Sequence, residues 1–150
     1  MADITAPAPQ AVRLADYRPP AFLVDEVELT FELEPLATVV RSLQRLRRNR
    51  PGELMLDGED LETLSVSVDG RMLPADSYRI DAATLTLAEL PDACTLEIVT
   101  RIKPAANTRL MGLYVSGGVF CTQCEAEGFR RITWFPDRPD VMSKFKVRIE

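Results

Sequence analysis

Residues able to do chemistry crowd into one stretch, Gly117 to Pro139, which reads GGVFCTQCEAEGFRRITWFPDRP. Within it Cys121-Thr122-Gln123-Cys124 has the spacing of half a zinc site or of a redox dithiol. A zinc would need two more soft ligands. Only Cys94 lies outside the pair and the chain has no histidine, so a carboxylate would have to complete the set. A thioredoxin-type dithiol needs its first cysteine at a helix N-terminus, and neither GGVF nor EAEGF starts a helix. Reduced cysteines packed in a loop are the plainest reading of the pair. Gln123, Glu125 and Glu127 are acceptors spaced two residues apart. In an extended chain they would share one side, where a carboxylate and an amide together suit a cation such as a free amino group. The bland alternative is acids solvated in a loop. Trp134-Phe135-Pro136 suits either a sugar-stacking platform or a buried aromatic beside a turn, and the buried aromatic is the commoner arrangement.

The missing histidine excludes a His general base, a Ser-His or Cys-His nucleophile pair, and any imidazole metal site. No self-contained hydrolase of the usual kinds can be assembled from this chain. A net charge of −5 with pI near 4.9 argues against nucleic acid as the main partner. The one basic cluster, Arg45, Arg47, Arg48 and Arg50, reads as a solvated loop. An odd number of cysteines, three, does not suggest a secreted disulfide framework. MADITAPAPQ has no apolar run of signal-peptide length, and no segment approaches the ~20 apolar residues of a membrane helix. The expectation is a cytoplasmic protein with no membrane or nucleic-acid partner.

The elements that must position this stretch read as short strands. At 150 residues the chain is most simply one domain able to bury about 68–70% of its unfolded surface. Residues 1–16 are expected to be a flexible tail, rich in Ala and Pro, with the domain running from 17 to 150. Val27, Leu29, Phe31 and Leu33 alternate with polar residues, giving a strand with one buried face. Glu34-Pro35-Leu36 turns the chain. Thr38–Leu46 suits a short helix or a hairpin partner, and its neighbours favour the strand. Leu54–Leu56 is a short apolar run, and Leu64, Val66 and Val68 alternate up to Asp69-Gly70, a type I′ hairpin signal. Tyr78 with Ile80 and Leu85 with Leu87 form a further pair, and Cys94, Leu96, Ile98 and Ile102 mark a longer strand. Lys103–Arg109 is a connection, Leu110–Ser116 is extended, and Phe145, Val147 and Ile149 alternate up to Glu150. With no amphipathic helix and no internal repeat, the pattern predicts an all-β antiparallel sandwich or curved sheet. A strand that reaches the last residue without a stop signal predicts that the chain continues in a larger protein.

Several segments together resemble the N-terminal β domain of bacterial aminopeptidase N, a zinc metallopeptidase family. They are Ala105-Ala106-Asn107-Thr108, Gly112-Leu113-Tyr114 with Ser116, CTQCEAEGFR from Cys121, and DRPDV from Asp137. Tyr17-Arg18-Pro19-Pro20, the Val27–Leu33 strand and LDGEDLETLSV from Leu56 extend the likeness from Asp16 to Glu150. The resemblance implies a saddle-like, all-β N-terminal domain. It also implies that Gln123 takes the place of the family's substrate-binding glutamine and Glu125 that of its amine-binding glutamate. It passes no role to Glu127 or Arg130. The family's zinc site, a helical H-E-x-x-H with a further glutamate, and its Gly-Ala-Met-Glu-Asn loop lie in the following domain. This chain is therefore expected to hold no zinc and no catalytic group. It would be inactive alone, and would provide one wall of the active site against a catalytic domain in cis and a peptide substrate. Zinc would belong to the full enzyme, which removes N-terminal residues by metal-activated water. A partly apolar face near Val115–Cys124 is expected where the catalytic domain would lie. The rival from another class is a free-standing β-sandwich module for carbohydrate or peptide, using Trp134 and Tyr114. A small dithiol protein using Cys121 and Cys124 is a third.

Overall fold

The computed structural model describes residues 13–150. The expected flexible tail thus lies outside the described residues over its first twelve positions, and Leu14–Asp16 form one 3-10 turn. Eleven strands follow in chain order: β1 (Phe22–Glu32), β2 (Thr38–Arg48), β3 (Leu54–Asp57), β4 (Glu62–Val68), β5 (Arg71–Met72), β6 (Arg79–Ile80), β7 (Thr84–Leu87), β8 (Ala93–Ile102), β9 (Gly112–Ser116), β10 (Val119–Gln123) and β11 (Lys144–Ile149). The main sheet has the order β11-β1-β2-β8-β4-β5. A three-stranded sheet, β3-β7-β6, and the β9–β10 hairpin complete the fold.

The expected all-β class holds, with one feature the pattern did not give. β11 pairs with β1 in parallel, so the sheet is mixed. Alternation explains most of the core, because successive side chains of a strand face opposite sides. In β1 the register slips between Val24 and Glu26, and Asp25 is the extra residue. Phe22 and Val24 are therefore buried on one parity, and Val27, Leu29 and Phe31 on the other. A second slip between Thr63 and Ser65 makes Leu64 the extra residue of β4. Leu64, expected inside, is 40% exposed, and Thr63 takes the inward place instead. Asp69 and Gly70 both have positive φ, 49° and 76°, as the hairpin signal required.

β2 is a strand, as its neighbours implied, but with an unexpected inner face. Thr38, Val40, Ser42, Gln44 and Leu46 point inward, and all five are buried. Val39 and Leu43 lie on the other side. The basic cluster is corrected as well: Arg45, Arg47 and Arg48 belong to β2 rather than to a loop. Arg47 pairs with Asp25 at 3.1 Å, Arg48 with Asp92 at 2.7 Å and Arg45 with Glu26 at 3.4 Å. Arg50 donates to the Pro19 carbonyl.

Ile132, Thr133, Trp134, Phe135 and Pro136 are all buried, although only Phe135 makes a β-bridge, to Asp57. Buried carbonyls outside a ladder need other partners. Gln44 Nε2 donates to the Trp134 carbonyl at 2.7 Å, and Thr100 Oγ1 donates to the Ile132 carbonyl at 3.3 Å. The polar residues of the core thus fix the course of a segment that no strand holds.

Candidate functional site

The singled-out stretch is half hairpin and half turn. β9 leads through Gly117-Gly118, at φ 57° and 82°, into β10, which ends at Gln123 directly opposite Gly112. Cys124–Gly128 then reverse the chain, and Phe129–Arg131 form a 3-10 turn. The reversal closes where the Gly128 N–H donates to the Cys124 carbonyl at 2.9 Å. A Cβ on Gly128 would meet the Gln123 carbonyl oxygen at 2.5 Å and Cys124 Cα at 2.7 Å, so only glycine fits. The hairpin base is clamped by Asn107, whose Nδ2 donates to the carbonyls of Met111 and Leu113 at 2.7 and 2.9 Å.

Downstream of the turn, two arginines tie it to the rest of the fold. Arg130 Nε donates to Asp137 Oδ2 at 3.0 Å, and Asp57 Oδ2 accepts the backbone N–H of Asp137 at the same distance. Burial works against the charge on Arg130. The hydrogen bond to Asp137 and the nearby carboxylates of Asp57 and Glu127 outweigh it and hold the pKa above its ordinary value. Arg131 reaches Glu59 at 2.8 Å and also pairs with Asp60. Farther along, Tyr17 donates to Asp140 at 2.9 Å and Arg138 donates to the Arg18 carbonyl at 2.9 Å. Two segments singled out in the sequence, YRPP and DRPDV, therefore bind each other. The hydrogen bond from Arg138 holds the Asp140 carboxyl at a pKa of about 2, helped by the Tyr17 hydroxyl.

The three acceptors do not line up as expected. The chain leaves the strand after Gln123, so Glu125 and Glu127 lie in the turn and not along an extended segment. Gln123 Nε2 donates to the backbone carbonyl of Glu125 at 3.0 Å, so the glutamine braces the residue two positions on. Glu127 has φ 66° and turns back to Arg130 at 3.4 Å. The Glu125 side chain is exposed and makes no ion pair among the described residues. Of the acidic side chains at this turn, Glu125 is the one left to receive a cation.

Cys121 and Cys124 are free thiols, half-buried, on a strand and at its end. No helix N-terminus stands at Cys121, and burial followed by the Asp137 charge pushes the Cys124 thiol up. That is the opposite of an activated dithiol. Trp134 is 3% exposed and its indole N–H donates to Thr63 Oγ1 at 2.7 Å, so it offers no stacking platform. The inward place that the β4 bulge gives Thr63 thus serves this indole. Of the face expected near Val115–Cys124, Val119 is 62% exposed, and Val115 and Phe120 are half-buried. A cleft of about 570 Å³ opens on the other side of the hairpin base, among Arg101, Lys103, Asn107, Arg109, Leu113 and Arg131; neither Gln123 nor Glu125 lines it. The donors do not fit a resident zinc, since the chain has no histidine and no three or more Cys, Asp or Glu are grouped for an ion among the described residues.

No family model matches the chain. It is 54% identical over 146 residues to aminopeptidase N of Caulobacter vibrioides, covering 95% of this chain and 17% of that protein. It is 43% identical to aminopeptidase N of Escherichia coli, covering 94% and 16%. Among solved structures, Legionella pneumophila aminopeptidase A in complex with aspartic acid superposes with a TM-score of 0.84 at 28% identity, covering 92% of this chain and 17% of that one. An M1 zinc metallopeptidase from Deinococcus radiodurans, bound to a Tyr-Ser-Ala substrate, gives 0.72 at 15% identity with 86% and 32% coverage, a likeness of fold alone. The chain spans about one-sixth of the length of the curated relatives it matches. It is the counterpart of a small N-terminal β region of aminopeptidase N.

Proposed function

We propose that this chain is the N-terminal domain of a cytoplasmic zinc aminopeptidase that removes amino-terminal residues from peptides. In this reading it forms the wall that anchors the substrate's N-terminus. The observation that carries the reading is 54% identity over 95% of the chain to an aminopeptidase N. The turn geometry supports the residue roles. Glu125 is an exposed carboxylate without an ion-pair partner among the described residues, on a turn closed by Gly128 and braced by Gln123. A peptide's free ammonium satisfies such a carboxylate by charge-assisted hydrogen bonds, worth more once a neighbouring domain excludes water. Anchoring the ammonium also fixes register, so that one peptide bond alone is presented to the reacting centre. Gln123 lines the pocket for the first side chain and keeps the Glu125 backbone in place. Zinc would be held by parts of the longer protein outside this chain, and the isolated domain is inactive. Three free thiols suit a reducing compartment.

The test is Glu125→Gln in the full-length protein with an alanyl substrate. Loss of an ammonium anchor should lower kcat/KM by about 30- to 1,000-fold, or roughly 2–4 kcal/mol. A change within about twofold would sink the assignment.

A further inference from the structure

The turn that carries Glu125 stands on two unequal legs. Its upstream leg is β10, which pairs with β9 and with no other strand among the described residues. Neither the main sheet nor the three-stranded sheet holds that side by a ladder. Its downstream leg is the Phe129–Arg131 turn, and there the contacts converge on Arg130. The backbone N–H and Nε of Arg130 both donate to Asp137 Oδ2, at 3.1 and 3.0 Å. Nη2 donates to the Asp137 carbonyl at 3.1 Å and reaches Glu127 Oε1 at 3.4 Å. The Arg130 carbonyl accepts the Glu59 N–H at 3.0 Å.

Asp137 is itself fixed to β3. Its N–H donates to Asp57 Oδ2 at 3.0 Å, and Asp57 exchanges both backbone bonds with Phe135, at 2.8 and 3.2 Å. A continuous path thus runs from the end of β3 through Asp57, Asp137 and Arg130 to Glu127, two residues past Glu125. The Arg130 and Asp137 side chains are 17% and 16% exposed. Their forked, charge-assisted bonds therefore lie largely out of water, where such bonds are strongest.

Given the ammonium-anchoring role of Glu125, on which this rests, we propose that Arg130 is a positioning residue for Glu125. It ties the downstream leg of the turn to β3, so that the Glu125 carboxylate is presented in one place. Position and charge make opposite demands here. Arg130 is a cation five residues after Glu125. If its field alone mattered, its loss would strengthen ammonium binding by lifting a like-charge repulsion. If it positions Glu125, its loss lets the turn sample other conformations, and affinity falls with the fraction that stays competent.

The test uses the full-length protein and two competitive inhibitors, alanine hydroxamate and propionohydroxamate, which differ in the amino group alone. The ratio of their Ki values isolates the share of binding due to the ammonium. Arg130→Gln should lower that ratio at least about fivefold while leaving the propionohydroxamate Ki within about twofold of the parent's. The bond from the residue-130 backbone N–H to Asp137 does not need the side chain and keeps the 3-10 turn. Should that variant not fold, Arg130→Lys keeps the charge, loses the fork, and should lower the ratio at least about threefold. A ratio within about twofold of the parent's, a raised ratio, or equal weakening of both inhibitors would each overturn the proposal. Glu125→Gln, measured alongside, should collapse the ratio. If it does and neither Arg130 variant lowers the ratio, the role of Arg130 alone falls. If Glu125→Gln leaves the ratio unchanged, the ammonium anchor falls and the role of Arg130 with it.

Discussion

Gly128→Ala tests whether the turn carrying Glu125 is as tightly determined as its geometry indicates. The new methyl would sit 2.5 Å from the Gln123 carbonyl oxygen, 2.7 Å from Cys124 Cα and 3.2 Å from the Cys124 carbonyl carbon. All three are backbone atoms, so no side-chain rotation relieves the overlap; the turn must open. Opening it lengthens the 2.9 Å bond from Gly128 to the Cys124 carbonyl and pulls on the 3.1 Å bond from Arg131 to the Gly128 carbonyl. Overpacking of this kind costs about 1–3 kcal/mol. At roughly 2–4 °C per kcal/mol for a chain of this size, a cost near 2 kcal/mol lowers the Tm by about 4–8 °C. The backbone at Gly128 has φ −88°, which alanine adopts freely, so the loss would be steric and not conformational. Gly117→Ala is the matched comparison, because its Cβ would meet nothing within 4 Å and only its φ of 57° is unfavourable. That change should cost roughly 1 kcal/mol, at the low end of the left-handed penalty. Thermal unfolding followed by circular dichroism ranks the two. If Gly128→Ala melts within about 1 °C of the parent, or above Gly117→Ala, the steric reasoning is wrong.

Gln44→Leu leaves the buried Trp134 carbonyl without its 2.7 Å donor, and should cost about 1–3 kcal/mol in urea unfolding; an unchanged midpoint would show that the Trp134 carbonyl does not depend on this donor. Asp140 has its folded pKa held down to about 2, below the roughly 3.9 of an unfolded chain, so its contribution is full above pH 4 and fades as pH falls toward 2. Asp140→Asn should therefore lose stability at pH 5 and flatten the fall between pH 4 and 2, and a variant whose acid profile superposes on the parent's would refute that. The Cys124 thiol, raised by burial, should alkylate at neutral pH more slowly than free cysteine. Mass-spectrometric labelling at the rate of free cysteine would contradict this.

Strand existence was legible wherever one face is apolar. Val27, Leu29 and Phe31 announced β1, and Asp69-Gly70 announced the β4–β5 hairpin, because period-two alternation and positive φ leave direct marks in residue type. The bulges left no such mark. Asp25 and Leu64 are ordinary residues, and only the partner strand reveals that each is the extra one. Gln44 was overlooked for a different reason: a buried amide reads as surface until the Trp134 carbonyl that it serves is in view. At the site, the extended conformation expected through Gln123, Glu125 and Glu127 was not found, because the chain turns after Gln123. The glycine three positions after Glu125 was the available signal for a turn, since it is required by the approach of the Gln123 carbonyl.

The parallel union of β1 with β11 also sets an order of events in time. Glu28 and Lys146 are 118 residues apart, yet they share one ion pair on adjacent strands. At about 5–20 residues per second, a ribosome needs roughly 6–24 s to deliver the second after the first. Through that interval β1 can pair with β2 but keeps its other edge bare, beside a growing chain rich in strands seeking partners. The main sheet thus keeps β1 as an open template until β11 has been made.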